Sequence, residues 1–379
     1  LDSIIELAAE KGVKEFVLGM AHRGRLNTLC NIFGKSAREI FSEFDGKDYE
    51  DQVFDGDVKY HLGWTSKRKS DKGFGIYLNI APNPSHLESV GPVVAGITRA
   101  KQDKYFEDSK ENVLPVIIHG DAAIAAQGVV YEVVQMERLK GYSTQGTIHI
   151  VVNNQVGFTT NYIDGRSSTY CTDVGKVNLC PILHVNSDDV EAVVHASRFA
   201  LEYRMKFKRD VFIDLLGYRK FGHNEGDEPR FTQPKLYKTI SKHPNIKDIY
   251  SQKLISQKVI TQQEFFEMEK NYLSSLDTDL IYSKKDENVV ITPFMEHEWV
   301  GFSSVKDDKM LAHYDTHVSK KNLDQIASSV YNLDNSDLFI KKVSRLMKER
   351  NKMYNNDRID WGIAENLAYG SLLKESYNV

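Results

Sequence analysis

The chain reads as an α/β protein, a mostly parallel sheet flanked by helices, followed by a helical connecting segment. Three observations carry that reading. Short apolar runs rich in β-branched residues alternate with helical patterns from Glu15 to Gly217. Two of these runs, Val113–His119 and Gly146–Val152, are joined by one helical stretch, the arrangement of two parallel strands with a crossover. Several runs end in turns dense in Gly, Asp, Asn, His and Arg, and in such sheets ligands sit at the carboxyl ends of the strands.

The elements follow in order. Leu1–Glu10 is an amphipathic helix already under way, and Glu15–Met20 a strand. A turn at Ala21-His22-Arg23-Gly24 leads into a helix from Arg25 to Phe33. The stretch from Phe41 to Lys72 is polar and charged, a loop-rich excursion. Gly73–Ile80 is a strand that stops at Ala81-Pro-Asn-Pro, because proline cannot continue a central strand. Ser85 with Glu88 three residues on forms a capping-box pattern, predicting a helix from there to about Lys104, kinked at Pro92. A helix is expected from about Gln127 to Lys140, and a polar loop from Thr159 to Asn178. Ile182–Val185 is a short strand, and Asp188–Lys208 is a helix with acids early and bases late. The strand Asp210–Gly217 follows, and then charged helices with few strands. Three segments are therefore expected: a ligand-binding domain over 1–235, a mainly helical connecting segment over 236–357, and the start of something new over 358–379. Both ends read as cut, since the first helix lacks an initiating Met and the last stops inside or just after a helix.

Composition narrows the function. With 379 residues there is ample core, and 49 basic against 53 acidic residues leave a net charge of −4. That balance argues for neither nucleic acid nor a membrane surface as partner, and no apolar run is long enough to span a bilayer. No secretory signal leads the chain. Cys30, Cys171 and Cys180 lack metal-type spacing, which suits buried thiols in a reducing compartment, and no zinc site is expected.

The sharpest chemistry lies between Val113 and Gly157. One strand delivers Gly120-Asp121-Ala122-Ala123 and the next delivers Asn153-Asn154-Gln155-Val156-Gly157, so Asp121 and Asn154 can meet at one sheet edge. A carboxylate and an amide oxygen suit a hard divalent cation such as magnesium, which keeps positions for phosphate oxygens and water. The small residues after Asp121 allow a diphosphate to approach the backbone amides. The same segment also reads as an ordinary strand–helix–strand unit with an Asp at a helix start. Ala21-His22-Arg23-Gly24-Arg25 puts two guanidinium groups and an imidazole at a strand end, suited to an anion or simply a solvated basic turn. Tyr60-His61-Leu62-Gly63 and Asn83–Glu88 are open to both functional and structural readings. Tyr218–Pro229 either closes over a phosphate or pairs its acids with Arg219, Lys220 and Arg230.

The acid turn and the Asn-Asn turn resemble the thiamine diphosphate signature, although the usual third residue of the acid turn is Gly and Ala122 stands here. Six runs in order resemble the family of first components of the 2-oxoglutarate dehydrogenase complex. They are Gly19–Asn27, Tyr60–Gly63, Asn83–Glu88, Gly120–Ala123, Asn153–Phe158 and Gly222–Pro234. The resemblance spans nearly the whole chain, and Asp360–Glu365 resembles the start of that family's pyrimidine-binding domain.

The resemblance implies the thiamine diphosphate-binding fold, with the diphosphate-binding domain in the first segment. It implies thiamine diphosphate-dependent oxidative decarboxylation of 2-oxoglutarate, a step of the tricarboxylic acid cycle. The succinyl group passes to the lipoyl group of the second component. The paralogue acting on 2-oxoadipate, one methylene longer, is the alternative within the class. Carried onto this chain, Asp121, Asn154 and the carbonyl of Val156 hold magnesium. Arg23, Ser85, Leu87, Ala122 and Ala123 line the cofactor, with His223 beside the diphosphate. His22 and His61 face the substrate as donors or proton carriers, with Ser85 also on the substrate side. Implied partners are a second copy in a homodimer, the lipoyl-bearing succinyltransferase and dihydrolipoamide dehydrogenase. The family's activating Glu lies in the pyrimidine-binding domain, beyond this sequence, and Glu365 is not assigned that role. The chain alone is therefore expected to hold half a site, and a catalytically silent cofactor-binding fragment is the competing reading. Bacterial cytoplasm is the expected compartment, with mitochondrial matrix as the alternative.

Overall fold

The computed structural model describes residues 1–44, 61–286, 294–302, 312–333, 338–377 and 379. Contacts group Leu1–Val300 into one compact unit and Gly301–Val379 into another.

The first unit is built on a seven-stranded sheet. Its strands are β1 (Glu15–Met20), β2 (Trp64–Lys69), β3 (Gly75–Ile80), β4 (Val113–Gly120), β5 (Ile148–Asn153), β8 (Ile182–Asn186) and β9 (Val211–Leu216), in the spatial order β2-β3-β1-β4-β5-β9-β8. Every pairing is parallel except that of β2 with β3. The remaining short strands, β6 (Val156–Gly157) and β7 (Thr160–Asn161), form a separate hairpin. All six residues of β1 are buried because helices cover both faces of the sheet, the condition under which strands read as unbroken apolar runs. On one face α1 (Asp2–Glu10) and α8 (Val190–Phe207) bury Ile4, Ala8, Ala200 and Leu201 against Phe16, Leu78, Leu114 and Ile213. On the other face, α4 (Val90–Tyr105) packs Val90 and Val94 on Val17 and Ile117. Beside it, α5 (Asp121–Ala126) and α6 (Gly128–Met136) set Ile124, Val130 and Val134 on Val151 and Phe212. The charge order expected along α8 is present, with Glu191 in its first turn and Arg204 and Lys206 in its last, and Asp189 caps its start.

The structure corrects several elements. The excursion from Phe41 to Lys72 is not all loop: α3 (Ala37–Phe44) runs into it and β2 occupies its end, while residues 45–60 lie outside the described residues. β2 is an edge strand whose exposed positions are Lys67 and Lys69, so the sequence pattern lacks an apolar face. Ser85 does not cap a helix. The chain turns through Ser85–Ser89, α4 starts at Val90, and Glu88 adopts a left-handed φ of 68° that no helical residue has. Pro92 then falls in the first helical turn, where its missing N–H costs nothing. The crossover expected at Gln127–Lys140 starts earlier, at Asp121, and ends at Met136. The helix expected over Arg25–Phe33 is α2 (Arg25–Asn31). The polar loop holds β7, a one-turn helix α7 (Tyr162–Gly165) and a 3-10 segment over Cys171–Asn178. Burial pushes the thiols of Cys171 and Cys180 up to about 12, leaving both chemically quiet.

The helices that follow divide between the units: α9 (Pro234–Ile240), α10 (Ile246–Ser256) and α11 (Gln262–Ser283) belong to the first. In the second, α12 (Lys320–Tyr331), α13 (Lys341–Asn355) and α14 (Trp361–Lys374) close around Ile326, Tyr331, Tyr354, Ile363 and Leu367. Among the described residues no helix is long and apolar enough to cross a membrane.

Arg25 ties the sheet edge together. Its side chain is fully buried and donates to the carbonyls of Leu62 at 2.8 Å, Ala81 at 2.6 Å and Met20 at 3.4 Å. Burial lowers its pKa to about 10, still cationic at neutral pH. It faces the protein, not an anion, contrary to the reading of its turn as two anion-binding guanidinium groups. Arg25→Leu should cost about 3 kcal/mol in denaturant unfolding by orphaning these carbonyls. A change below about 1 kcal/mol would remove Arg25 from that role.

Candidate functional site

β1, β3, β4, β5 and β9 all end at one edge of the sheet, so five turns meet there. The β4–β5 register, Gly120 opposite Val152, brings Asp121 and Asn154 side by side. Asp121 is 2% exposed, and burial raises its carboxyl pKa against the pull of the Asn154 N–H and Arg166. The Asn154 amide donates to Asp121 Oδ1 at 3.3 Å, while Asn154 Oδ1 accepts the Val156 N–H at 3.2 Å. Gln155, at a φ of 64°, makes the sharp bend and anchors it by donating to the Gly217 carbonyl at 2.8 Å. The two turns press together so closely that a Cβ on Gly157 would lie 2.7 Å from the Ala122 methyl.

A cavity of about 150 Å³ opens over this pair. Its wall includes Asp121, Ala122, Ala123, Asn154 and Val156 from the β4 and β5 turns. His22 and Arg23 join from the β1 turn, Leu87 from the turn after β3, and His223 from the segment after β9. Nine of the eleven residues assigned by resemblance thus share one cavity. His61 is buried close enough for its charge to count among the influences on His22. Ser85 is exposed and does not line the cavity. Tyr60 lies outside the described residues.

Arg23 and Arg219 make the part of the wall that holds His22 and His223 cationic. Arg23 donates to the His223 carbonyl at 2.9 Å, and its pKa is lowered by burial and by Arg219. His22 is pushed down by burial, then by Arg23, His223 and His61. His223 is likewise pushed down by burial and the two arginines, and the exposed ring of Phe158 meets it edge-on at 4.4 Å. Both imidazoles are therefore neutral at pH 7, able to donate one hydrogen bond and accept another. In the Tyr218–Pro229 segment, Glu228 pairs with Arg230 at 2.7 Å, but Arg219 turns inward to Tyr237 and the Phe221 carbonyl.

Two features escaped the sequence reading. A buried chain of polar groups runs beneath the site: Glu88 Oε2 to His119 Nδ1 at 2.5 Å, His119 Nε2 to His149 Nδ1 at 2.9 Å, and His149 Nε2 to Asp210 at 3.4 Å. Glu88 thereby links the turn carrying Leu87 to the strand that delivers Asp121. The available signal was a histidine in each of two otherwise apolar strands, β4 and β5. The second feature is Arg166, whose Nη1 stands 3.7 Å from Asp121 Oδ2. Among the described residues, no group of three or more His, Cys, Asp or Glu could hold a metal ion. A cation here would depend on amide and carbonyl oxygens beside Asp121.

Burial lowers the pKa values of His119, His22 and His223 below the ordinary 6.5. The unfolded chain then takes up protons that the folded one refuses, so stability should fall as pH drops below about 6.5. Thermal unfolding followed from about pH 7.5 to 5.5 checks this, and His119→Gln should flatten part of the slope. A pH-independent midpoint in the parent protein would contradict it.

Comparison with known proteins gives the family of the chain. The chain is 43% identical to the 2-oxoglutarate dehydrogenase E1 component of Azotobacter vinelandii, with 100% of the chain and 40% of the relative covered. It is 44% identical to the mitochondrial 2-oxoglutarate dehydrogenase of Schizosaccharomyces pombe, covering 100% of the chain and 38% of that protein. Against the 2-oxoglutarate dehydrogenase E1 component of Cupriavidus necator the identity is 42%, over 100% of the chain and 40% of the relative. The chain thus spans about 40% of the length of the curated relatives it matches. Residues 1–289 match the model of the dehydrogenase E1 component family, and the chain belongs to that family.

Proposed function

We propose that this chain carries the diphosphate- and magnesium-holding half of a thiamine diphosphate-dependent 2-oxoglutarate dehydrogenase first component. One observation carries the reading: a buried, under-partnered carboxylate, Asp121, beside the Asn154–Val156 turn. Its Oδ1 receives the Asn154 N–H at 3.3 Å, its own backbone N–H adds a weaker pull, and among the described residues the cation paired with Oδ2 is Arg166 at 3.7 Å, beyond hydrogen-bond range. A buried carboxylate so loosely held is matched by a hard divalent cation, and the nearby oxygens of Asn154 and Val156 are of the right chemical type. The donor set therefore fits magnesium. Support for the substrate comes from the relatives, whose names specify 2-oxoglutarate dehydrogenase.

In this reading Asp121, Asn154 and the Val156 carbonyl hold the ion, and Ala122 and Ala123 leave room for the diphosphate. Arg23 offsets its negative charge, with His223 beside it, while Leu87 packs against the cofactor. Bound there, thiamine diphosphate would supply the electron sink for loss of carbon dioxide. His22 and His61 face the 2-oxo acid. His22, kept neutral by burial and its basic neighbours, can accept a proton at its free ring nitrogen, becoming cationic as it does so, or donate a hydrogen bond from the other. Ser85, exposed at the turn, would join substrate or cofactor only from the rim. We assign the diphosphate-binding domain to 1–235, the connecting segment to 236–357, and the start of a pyrimidine-binding domain to 358–379. A second copy of the protein, a lipoyl-bearing second component and a dihydrolipoamide dehydrogenase are the proposed partners. Phe158 and Phe221, 63% and 75% exposed beside the site, are apolar surface that a partner would cover.

Calorimetric titration of thiamine diphosphate with magnesium into the chain and into Asp121→Ala tests this reading. Binding to the parent that is lost in the variant is expected. Absence of binding to the folded parent, or equal binding by both, would overturn it.

A further inference from the structure

We propose that Arg166 is the resident counter-ion of Asp121 and surrenders that place to the divalent cation, so that the Tyr162–Arg166 turn responds to metal occupancy. This rests on the magnesium site proposed above. The Arg166 side chain is only 10% exposed, and Asp121 is the one carboxylate it meets within 4.0 Å among the described residues. Asp214, also close to Asp121, is engaged elsewhere, with Asn153 at 3.0 Å and His184 at 2.8 Å. At 3.7 Å the Arg166 guanidinium offsets the charge of Asp121 without filling its lone pairs. The protein's firmly paired arginines behave differently: Arg209 meets Glu137 at 2.6 Å and Arg68 meets Glu6 at 2.7 Å. Arg166 Nε is buried with no partner, so the side chain is not locked by hydrogen bonds as Arg204 is, whose Nε donates to the Gly146 carbonyl at 3.0 Å. Its other hold is the ring of Tyr162, 5.2 Å from the guanidinium carbon.

The turn carrying Arg166 is coupled to the metal-facing bend. Tyr162 N–H donates to the Gln155 carbonyl at 3.2 Å, one residue from Asn154. A divalent ion on Asp121 would bring two further positive charges against the guanidinium in a water-poor setting, where like charges repel strongly. Arg166 must then draw back, loosening the turn it anchors. Before the ion arrives, the same guanidinium keeps the buried carboxylate from standing alone.

Manganese ion alone, titrated by electron paramagnetic resonance, is the probe. Arg166→Gln should bind it on the order of tenfold more tightly than the parent, since a competing charge is gone. Arg166→Lys, which restores a charge, should return toward parent affinity, and Asp121→Ala should abolish the site. In the parent protein, amide exchange across 160–170 should accelerate when manganese is added. That measurement decides the matter if Arg166→Gln does not fold. Equal or weaker binding by folded Arg166→Gln, with the Asp121 dependence intact, overturns the counter-ion role and leaves the metal site standing. Unchanged or slower exchange on metal binding does the same. Manganese binding that ignores Asp121 in every protein overturns the metal site, and the role of Arg166 with it.

Discussion

The parallel pairing of β4 with β5 is the constraint on which the rest depends. Its register fixes where two turns leave the sheet, and only that register sets a carboxylate from one beside an amide oxygen from the other. A slip of one residue would turn His119, Val151 and their neighbours to the wrong face and separate the pair. Such a slip is opposed by the core, because Val116, Ile148 and Ile213 pack on one side of the sheet while Ile117, Val151 and Phe212 pack on the other. Hydrophobic burial far from the cavity is therefore what positions its polar atoms.

Charge is distributed on this frame by depth. The deepest cations, Arg25 and Arg204, spend their donors on backbone carbonyls and hold strand ends and loops together. The shallower Arg23, with His22 and His223, stays beside the opening with donors toward the cavity wall. Asp121 lines the same cavity, so an anionic ligand that carries a cation would meet side chains of both signs there.

Much of this was legible in the sequence, for identifiable reasons. Strands buried on both faces announce themselves as apolar runs, and β1 coincides with the run Glu15–Met20. The junction of Gly120-Asp121 and Asn153-Asn154 was legible because strand–crossover–strand topology dictates which ends meet. What failed to show was tertiary in origin. Arg25 reads as basic surface because nothing local reveals that three carbonyls surround it. Ser85 and Glu88 carry a helix-start pattern, yet Glu88 is drawn away by His119, thirty-one positions along the chain, into a conformation that ends any helix there. β2 is hidden by its charges, and Arg166 by its place in a polar loop.

The near-contact between Gly157 and Ala122 also bears on how such a site can change over time. A single methyl group is all that the two positions share between them. Enlarging either one alone would pry the turns apart and widen the gap that Asp121 and Asn154 span. Residues 122 and 157 are thus bound into a common size allowance: a lineage could pass the methyl from one to the other, but only through an intermediate in which both are glycine.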